Sequence, residues 1–223
     1  MINQYALKFD KPLTPNQLKR LLLIVTENRR LKSEKYLSIK DKERCLLSEA
    51  LLIHVLEKYY HNFNKIQLTY TKYGKPLLKN SILNFNISHS GNWIVCSIGN
   101  NPVGVDVEEI RKLNIKWIYK MFSEIEQKYF TDNDIKEEQN LFFKLWTLKE
   151  SYVKFNGRGL SYSFDRFWID VRNLIVFDEG RRIKNVSFYS DKLDGSHWYA
   201  LCHDSRESVR DVQVIDIQNI LDI

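Results

Sequence analysis

Five short stretches of this 223-residue chain carry side chains that could do chemistry. In Val103-Gly-Val-Asp-Val-Glu108 a strand would set Asp106 and Glu108 on one face, because residues two apart share a side. Adjacent carboxylates repel unless a cation sits between them. A hard divalent ion such as Mg²⁺, which takes a few carboxylates plus substrate phosphates, answers that need; a polar outer strand face is the plainer alternative. In Trp146-Thr-Leu-Lys-Glu-Ser-Tyr-Val-Lys154, Glu150 and Lys154 stand in the order that favours a helical surface ion pair. Yet Lys149-Glu150 interrupts a helix of abundant apolar residues, which points the charges at a site. Ser123 and Glu126 have the spacing of a capping box. Asn86-Ile-Ser-His-Ser-Gly91 ends a strand in small residues, a shape that lets backbone N–H groups and hydroxyls approach a phosphate. Tyr73-Gly-Lys-Pro76 is a tight turn presenting Lys75, and Arg29, Lys32 and Arg44 add basic charge of a kind that solvated helix faces also carry.

These groups need elements to hold them. Thr14-Pro15 starts a helix running to about residue 26, and apolar residues one turn apart (Leu47, Leu51, Val55) predict a long helix over 39–60. The period then shortens to strand-like runs at 66–70, 83–88, 93–99 and 103–107, with turns at 89–92 and 100–102. The second half repeats the order: helices over 123–130 and 136–155, then strands at 167–171, 174–177, 186–189, 198–202 and 212–217. Gly91-Asn-Trp-Ile-Val-Cys96 is faintly echoed by Gly195-Ser-His-Trp-Tyr-Ala-Leu-Cys202. The expectation is an α+β fold of two similar subdomains, meeting near residue 104, each with helices packed on a small antiparallel sheet.

Composition narrows the classes. The chain is 43% hydrophobic with 8 Gly and 4 Pro, which excludes disordered and collagen-like readings. The net charge of +6 divides into +9 over residues 1–104 and −3 over 105–223, which suits an anionic ligand held beside a carboxylate cluster. A nucleic-acid-binding module would also be basic, but Asp106, Glu108 and Glu150 would repel a phosphate backbone. The 3 cysteines form no CxxC pair and read as buried thiols of a reducing compartment. No signal peptide is visible, and the apolar runs are shorter than the ~20 residues of a membrane span. The expectation is a soluble cytoplasmic protein with no membrane or nucleic-acid partner.

In their order and spacing the five motifs, joined by Gly157-Arg-Gly-Leu-Ser161, resemble the 4′-phosphopantetheinyl transferases, in particular the surfactin-synthetase-activating, single-chain type with pseudo-twofold symmetry. The resemblance implies transfer of the 4′-phosphopantetheine arm of coenzyme A to a serine of an acyl or peptidyl carrier protein. It implies Asp106, Glu108 and Glu150 as ligands of Mg²⁺, with Mn²⁺ an alternative ion, and Glu126 as general base. Lys154 would face the pyrophosphate; Lys75, Ser88 and His89 the nucleotide end; and Arg29 (where the family has Lys), Lys32 and Arg44 the 3′-phosphate. Residues 1–104 would bind coenzyme A and 105–223 would supply the carboxylates and the catalytic helix. The carrier would dock on a basic, apolar surface including Lys112, Lys116, Trp117, Lys120, Met121 and Phe122, and the enzyme would be a monomer. A Mg²⁺-dependent phosphohydrolase acting on coenzyme A or nucleotides would share the metal site and differ in using water as acceptor.

Overall fold

The computed structural model describes residues 1–60, 66–114, 118–130 and 135–222. The first part runs β1 (Ile2–Lys8), α1 (Pro15–Ile24), α2 (Glu27–Glu34), α3 (Ile39–Tyr60), β2 (Leu68–Tyr70), β3 (Pro76–Leu78), β4 (Asn84–Ser90), β5 (Trp93–Gly99) and β6 (Val103–Glu109). The second runs α4 (Glu124–Gln127), α5 (Ile135–Asn156), β7 (Phe167–Asp170), β8 (Ile175–Asp178), β9 (Arg181–Arg182), β10 (Val186–Asp194), β11 (His197–Asp204), β12 (Val209–Ile215) and α6 (Ile217–Leu221).

Local chemistry explains the starts. Thr14 and Gln17 form a complete capping box behind Pro15, and Thr26 caps α2 through Arg29 N–H. The break between α1 and α2 falls at Val25, which is extended, so the chain re-caps where the sequence reading had placed only the end of one helix. β4 also runs on to Ser90, so His89 belongs to a strand and not to the turn predicted over 89–92.

One sheet has the order β12-β1-β5-β4 and another β10-β11-β6, with small sheets β2-β3 and β7-β8-β9 beside them. Tyr5, Leu7, Ile94 and Cys96 of the first sheet pack with Leu47, Leu51 and Val55 of α3. Phe142, Leu145 and Leu148 of α5 pack with Phe122, Phe167, Ala200 and Cys202. A third cluster joins the two sheets: Ile2, Ala6 and Val95 meet Val105, Val107, Tyr199 and Leu201. Phe122, expected on a docking surface, is therefore a core residue, 1% exposed, because its ring completes the aromatic cluster around Phe142 and Trp146.

The chain's last elements cross back. β12 pairs parallel with β1, and Ile215, Ile220 and Leu221 fill the first core. The strand expected over 212–217 runs instead over Val209–Ile215, because Asp216 caps a helix from Ile217, and its partner lies at the other end of the chain. Its position covers the edge of β1, which would otherwise expose a row of unpaired backbone groups. The three cysteines are free and buried. Among the described residues no helix is long and apolar enough to cross a membrane.

Candidate active site

β4 and β6 are the facing edges of the two large sheets, and their link is made by side chains. From Asn86 on, every second residue of β4 reaches across. Asn86 Oδ1 accepts from Val105 N–H at 2.8 Å, Ser88 Oγ donates to Asp106 Oδ1 at 2.7 Å, and Ser90 Oγ donates to Glu108 Oε2 at 2.8 Å. Strand alternation thus makes the Asn-x-Ser-x-Ser pattern a set of rungs that place Asp106 and Glu108.

α5 lies directly on β6. At Gly104 a Cβ would come within 2.0 Å of Ser151 O and 2.2 Å of Phe155 N, so only glycine admits this approach. The contact brings Lys154 Nζ to 2.6 Å from Asp106 Oδ1 and 2.9 Å from Ser88 Oγ. Lys154 therefore pairs with Asp106 of β6 and reaches Ser88 across the seam, partners that the i,i+4 spacing with Glu150 does not reveal. Asp106 is 3% exposed, and its Oδ2 has no hydrogen-bond partner. Burial, and then Asp106, push Glu108 up to about 7, and the same two causes raise Glu150. Among the described residues no group of three His, Cys, Asp or Glu is gathered closely enough to hold a metal ion as the side chains stand. The orphaned Asp106 oxygen and the two raised carboxyls are nevertheless the electrostatics of a cluster short of positive charge.

Arg29, Lys32 and His89 line a cavity of about 570 Å³, whereas Arg44 and Lys75, expected with them, are not on its walls. Lys79 lines it too, a residue not singled out from the sequence, although it closes the basic stretch after the Tyr73-Gly-Lys-Pro76 turn. Arg29 is held by Glu49 at 3.3 Å, and Glu49 also accepts from Thr26 N–H at 2.8 Å, so buried Glu49 fixes the start of α2 at the cavity. Arg44 pairs with Asp41 and leaves a buried Nε without a partner. Crowding by surrounding protein, and then the Arg44 and Lys154 cations, hold His89 below its ordinary value, although His89 keeps an exposed surface. Lys75, expected at the nucleotide, instead donates to three backbone carbonyls, of Val103 at 3.0 Å, Lys154 at 2.6 Å and Phe155 at 3.3 Å.

Lys149, one residue before Glu150, turns the other way. Its Nζ donates to Glu126 Oε1 at 2.8 Å, to Glu126 Oε2 at 2.7 Å and to Phe167 O at 2.7 Å. Glu126 also accepts from Ile169 N–H at 2.9 Å and from Ser123 N–H and Oγ at 3.1 and 2.8 Å, completing the predicted capping box. Both side chains of the pair are 0% exposed. In this conformation Glu126 anchors α4 to α5 and β7, and it offers no open face to a substrate. Beside Glu150 an apolar cleft of about 300 Å³ is lined by Met121, Trp146, Val153, Tyr162 and Phe164. Lys120 and Met121 are exposed and border this cleft, Lys112 is exposed, and Lys116 and Trp117 lie outside the described residues.

The family model described as the 4′-phosphopantetheinyl transferase superfamily matches residues 102–214, and one described as 4′-phosphopantetheinyl transferase, N-terminal, matches residues 11–100. The chain is 34% identical over 171 residues to the 4′-phosphopantetheinyl transferase gsp of Aneurinibacillus migulanus, covering 75% of this chain and 71% of that one. It is 26% identical over 223 residues to 4′-phosphopantetheinyl transferase Sfp of Bacillus subtilis (strain 168), covering 97% and 99%. The similarity thus runs through both parts of the molecule and across the seam.

Proposed function

The chain belongs to the 4′-phosphopantetheinyl transferase superfamily, and from that premise we propose that it moves the 4′-phosphopantetheine arm of coenzyme A onto a serine of an acyl or peptidyl carrier protein, releasing adenosine 3′,5′-bisphosphate. The observation that carries this reading is the contact of Lys154 with Asp106 and Ser88, with His89 of the same strand as Ser88 on the basic cavity and Glu150 of the same helix as Lys154 on the apolar cleft. A long ligand with a phosphorylated nucleotide at one end, a pyrophosphate in the middle and an apolar arm at the other matches that sequence of surfaces.

Arg29, Lys32, Lys79 and His89 bind the nucleotide end, with Arg44 adding positive charge beside His89. Lys154 holds the pyrophosphate, and Ser88 orients Lys154 and Asp106. Asp106, Glu108 and Glu150 hold Mg²⁺ or Mn²⁺. Such an ion, when bound, offsets the charge on the pyrophosphate and on the departing bisphosphate. The carrier serine oxygen bonds to the β-phosphorus as the bond to the bisphosphate breaks, so this chain contributes positioning and charge and no nucleophile. The serine proton passes to a base; Glu126 can take it only in a conformation where its cap has opened. Trp146, Tyr162 and Phe164 exclude water from the pantetheine arm, and Lys112, Lys120 and Met121 receive the acidic carrier.

Finer features follow from the same reading. Residues 1–104 and 105–223 act as two halves related by a pseudo-twofold axis, each with a 22-residue helix, α3 or α5, on a sheet; the expected antiparallel order holds for β10-β11-β6, whereas the first sheet is mixed because β12 pairs parallel with β1. One chain supplies both halves, which fits a monomer, and three buried free thiols fit the cytoplasm. Incubation with coenzyme A, Mg²⁺ and an apo carrier tests the reaction: the carrier gains about 340 Da. Coenzyme A breakdown with no carrier gain identifies a phosphohydrolase instead.

A further inference from the structure

We propose that Lys75 is a positioning residue, whose ammonium fixes the register of the catalytic helix α5 against the carboxylate strand β6. The proposal rests on the transferase reading for its kinetic consequences, and on geometry alone for the anchor itself.

Lys75 is placed before its side chain makes any contact. The β2–β3 turn closes through Thr71 N–H to Lys75 O and Gly74 N–H to Thr71 O, both at 2.9 Å, and through Lys75 N–H to Thr71 Oγ1 at 3.1 Å. Gly74 sits at φ +84°, a conformation that favours glycine. The turn rests on the end of α5, since a Cβ on Gly157 would lie 3.3 Å from Lys75 Cδ and one on Gly159 would lie 3.3 Å from Tyr73 O.

An ammonium has three N–H donors, and here three carbonyls take them. Two of these, Lys154 O and Phe155 O, belong to the last turn of α5, where carbonyls lack helical partners and carry the negative end of the helix dipole. The third, Val103 O, opens β6. One cation from the first part thus clamps together the two elements that carry Asp106, Glu108, Glu150 and Lys154. Gly104 lets the helix come close, but it has no side chain to stop the helix sliding. A clamp at the helix end supplies that stop. Lys75 does not line the 570 Å³ cavity that Gly74 and Pro76 border; it lines a smaller one of about 250 Å³ with Asn86, Lys154 and Gly157. Because its three donors are taken by carbonyls, its role in the chemistry runs through Lys154 and Asp106, which its side chain touches only at the Lys154 backbone.

Lys75→Met keeps the stem and removes the donors, and Lys75→Arg keeps donors and charge. Lys75→Met is expected to lower kcat about 10- to 100-fold, the range seen for groups that orient others, with the KM for coenzyme A changed less than about twofold. Lys75→Arg recovers most of the loss. Amide exchange over residues 153–157, measured without substrate, reads the anchor whatever the reaction is; it speeds up in Lys75→Met and not in Lys75→Arg. A raised KM with kcat kept would assign Lys75 to substrate binding, and unchanged exchange would remove the clamp; either overturns the inference. If Lys75→Met does not fold, Lys75→Arg still decides: a KM effect without a kcat effect refutes positioning. A wild-type protein that transfers nothing while Lys75→Met still loosens residues 153–157 counts against the transferase reading and not against the clamp.

Discussion

α5 feeds two lysine–carboxylate assemblies from residues five apart, and they are finished differently. Lys149 and Glu126 form a closed one: the ammonium has three acceptors, the carboxylate adds Ile169 and Ser123 donors, and neither side chain reaches solvent. Lys154 and Asp106 form an open one. Asp106 Oδ2 is orphaned, Glu108 and Glu150 are raised by burial and by Asp106, and Lys154 keeps 26% of its side chain exposed. A buried polar network that satisfies every member specifies structure, whereas one left deficient stores a demand for a ligand. On the proposed transferase reading, the same helix holds the fold with Lys149 and serves the reaction with Lys154.

The sharpest way to break this comparison is to remove one partner of the closed pair. Glu126→Ala or Lys149→Met should each cost about 3–5 kcal/mol in urea unfolding, because an uncompensated charge is left buried. The double variant should cost less than the sum; a loss below about 1 kcal/mol for either single change would make the closed pair dispensable.

A second test pushes the open assembly apart. Gly104→Ala forces α5 off β6, and overpacking of this kind costs about 1–3 kcal/mol. Transfer should fall far more than stability, because Lys154 and Asp106 separate; stability lost with kcat retained would contradict the seam as the reacting centre.

Protonation offers a third. With Glu108 at about 7, the metal-free folded protein keeps a proton that the unfolded chain releases near 4.5, so this group's contribution to stability falls as pH rises from 4.5 to about 7. Metal binding must expel that proton, and the Mg²⁺ dissociation constant should rise roughly tenfold per unit as pH falls below about 7. Calorimetry across that range checks it, and a flat profile would place the ion elsewhere. The smallest effect belongs to the surface. Reversing the charge of Lys112 and Lys120 should raise the KM for the carrier about tenfold and spare coenzyme A; unchanged carrier kinetics would move the dock.

Much of this division was legible in the sequence. The long helix over 39–60 follows from apolar period, the helix expected over 136–155 is α5, and Ser123 with Glu126 announce their own cap. What local pattern cannot contain is direction and distance. Lys75 is expected at the nucleotide end from its motif, but a turn does not say where a flexible stem goes, and the three carbonyls it meets come from residues far along the chain. Phe122 sits among lysines and read as surface until the aromatic cluster claimed it. The β1–β12 pairing joins the two ends of the chain, a contact with no local signature.

The central claim is that the open assembly carries transfer while the closed one carries the fold. The mass of an apo carrier after incubation with coenzyme A and Mg²⁺, using wild type and Asp106→Asn of matched melting temperature, tests it most directly. The account predicts a gain of about 340 Da with wild type and none with an equally folded Asp106→Asn. Equal gains from both proteins would contradict it.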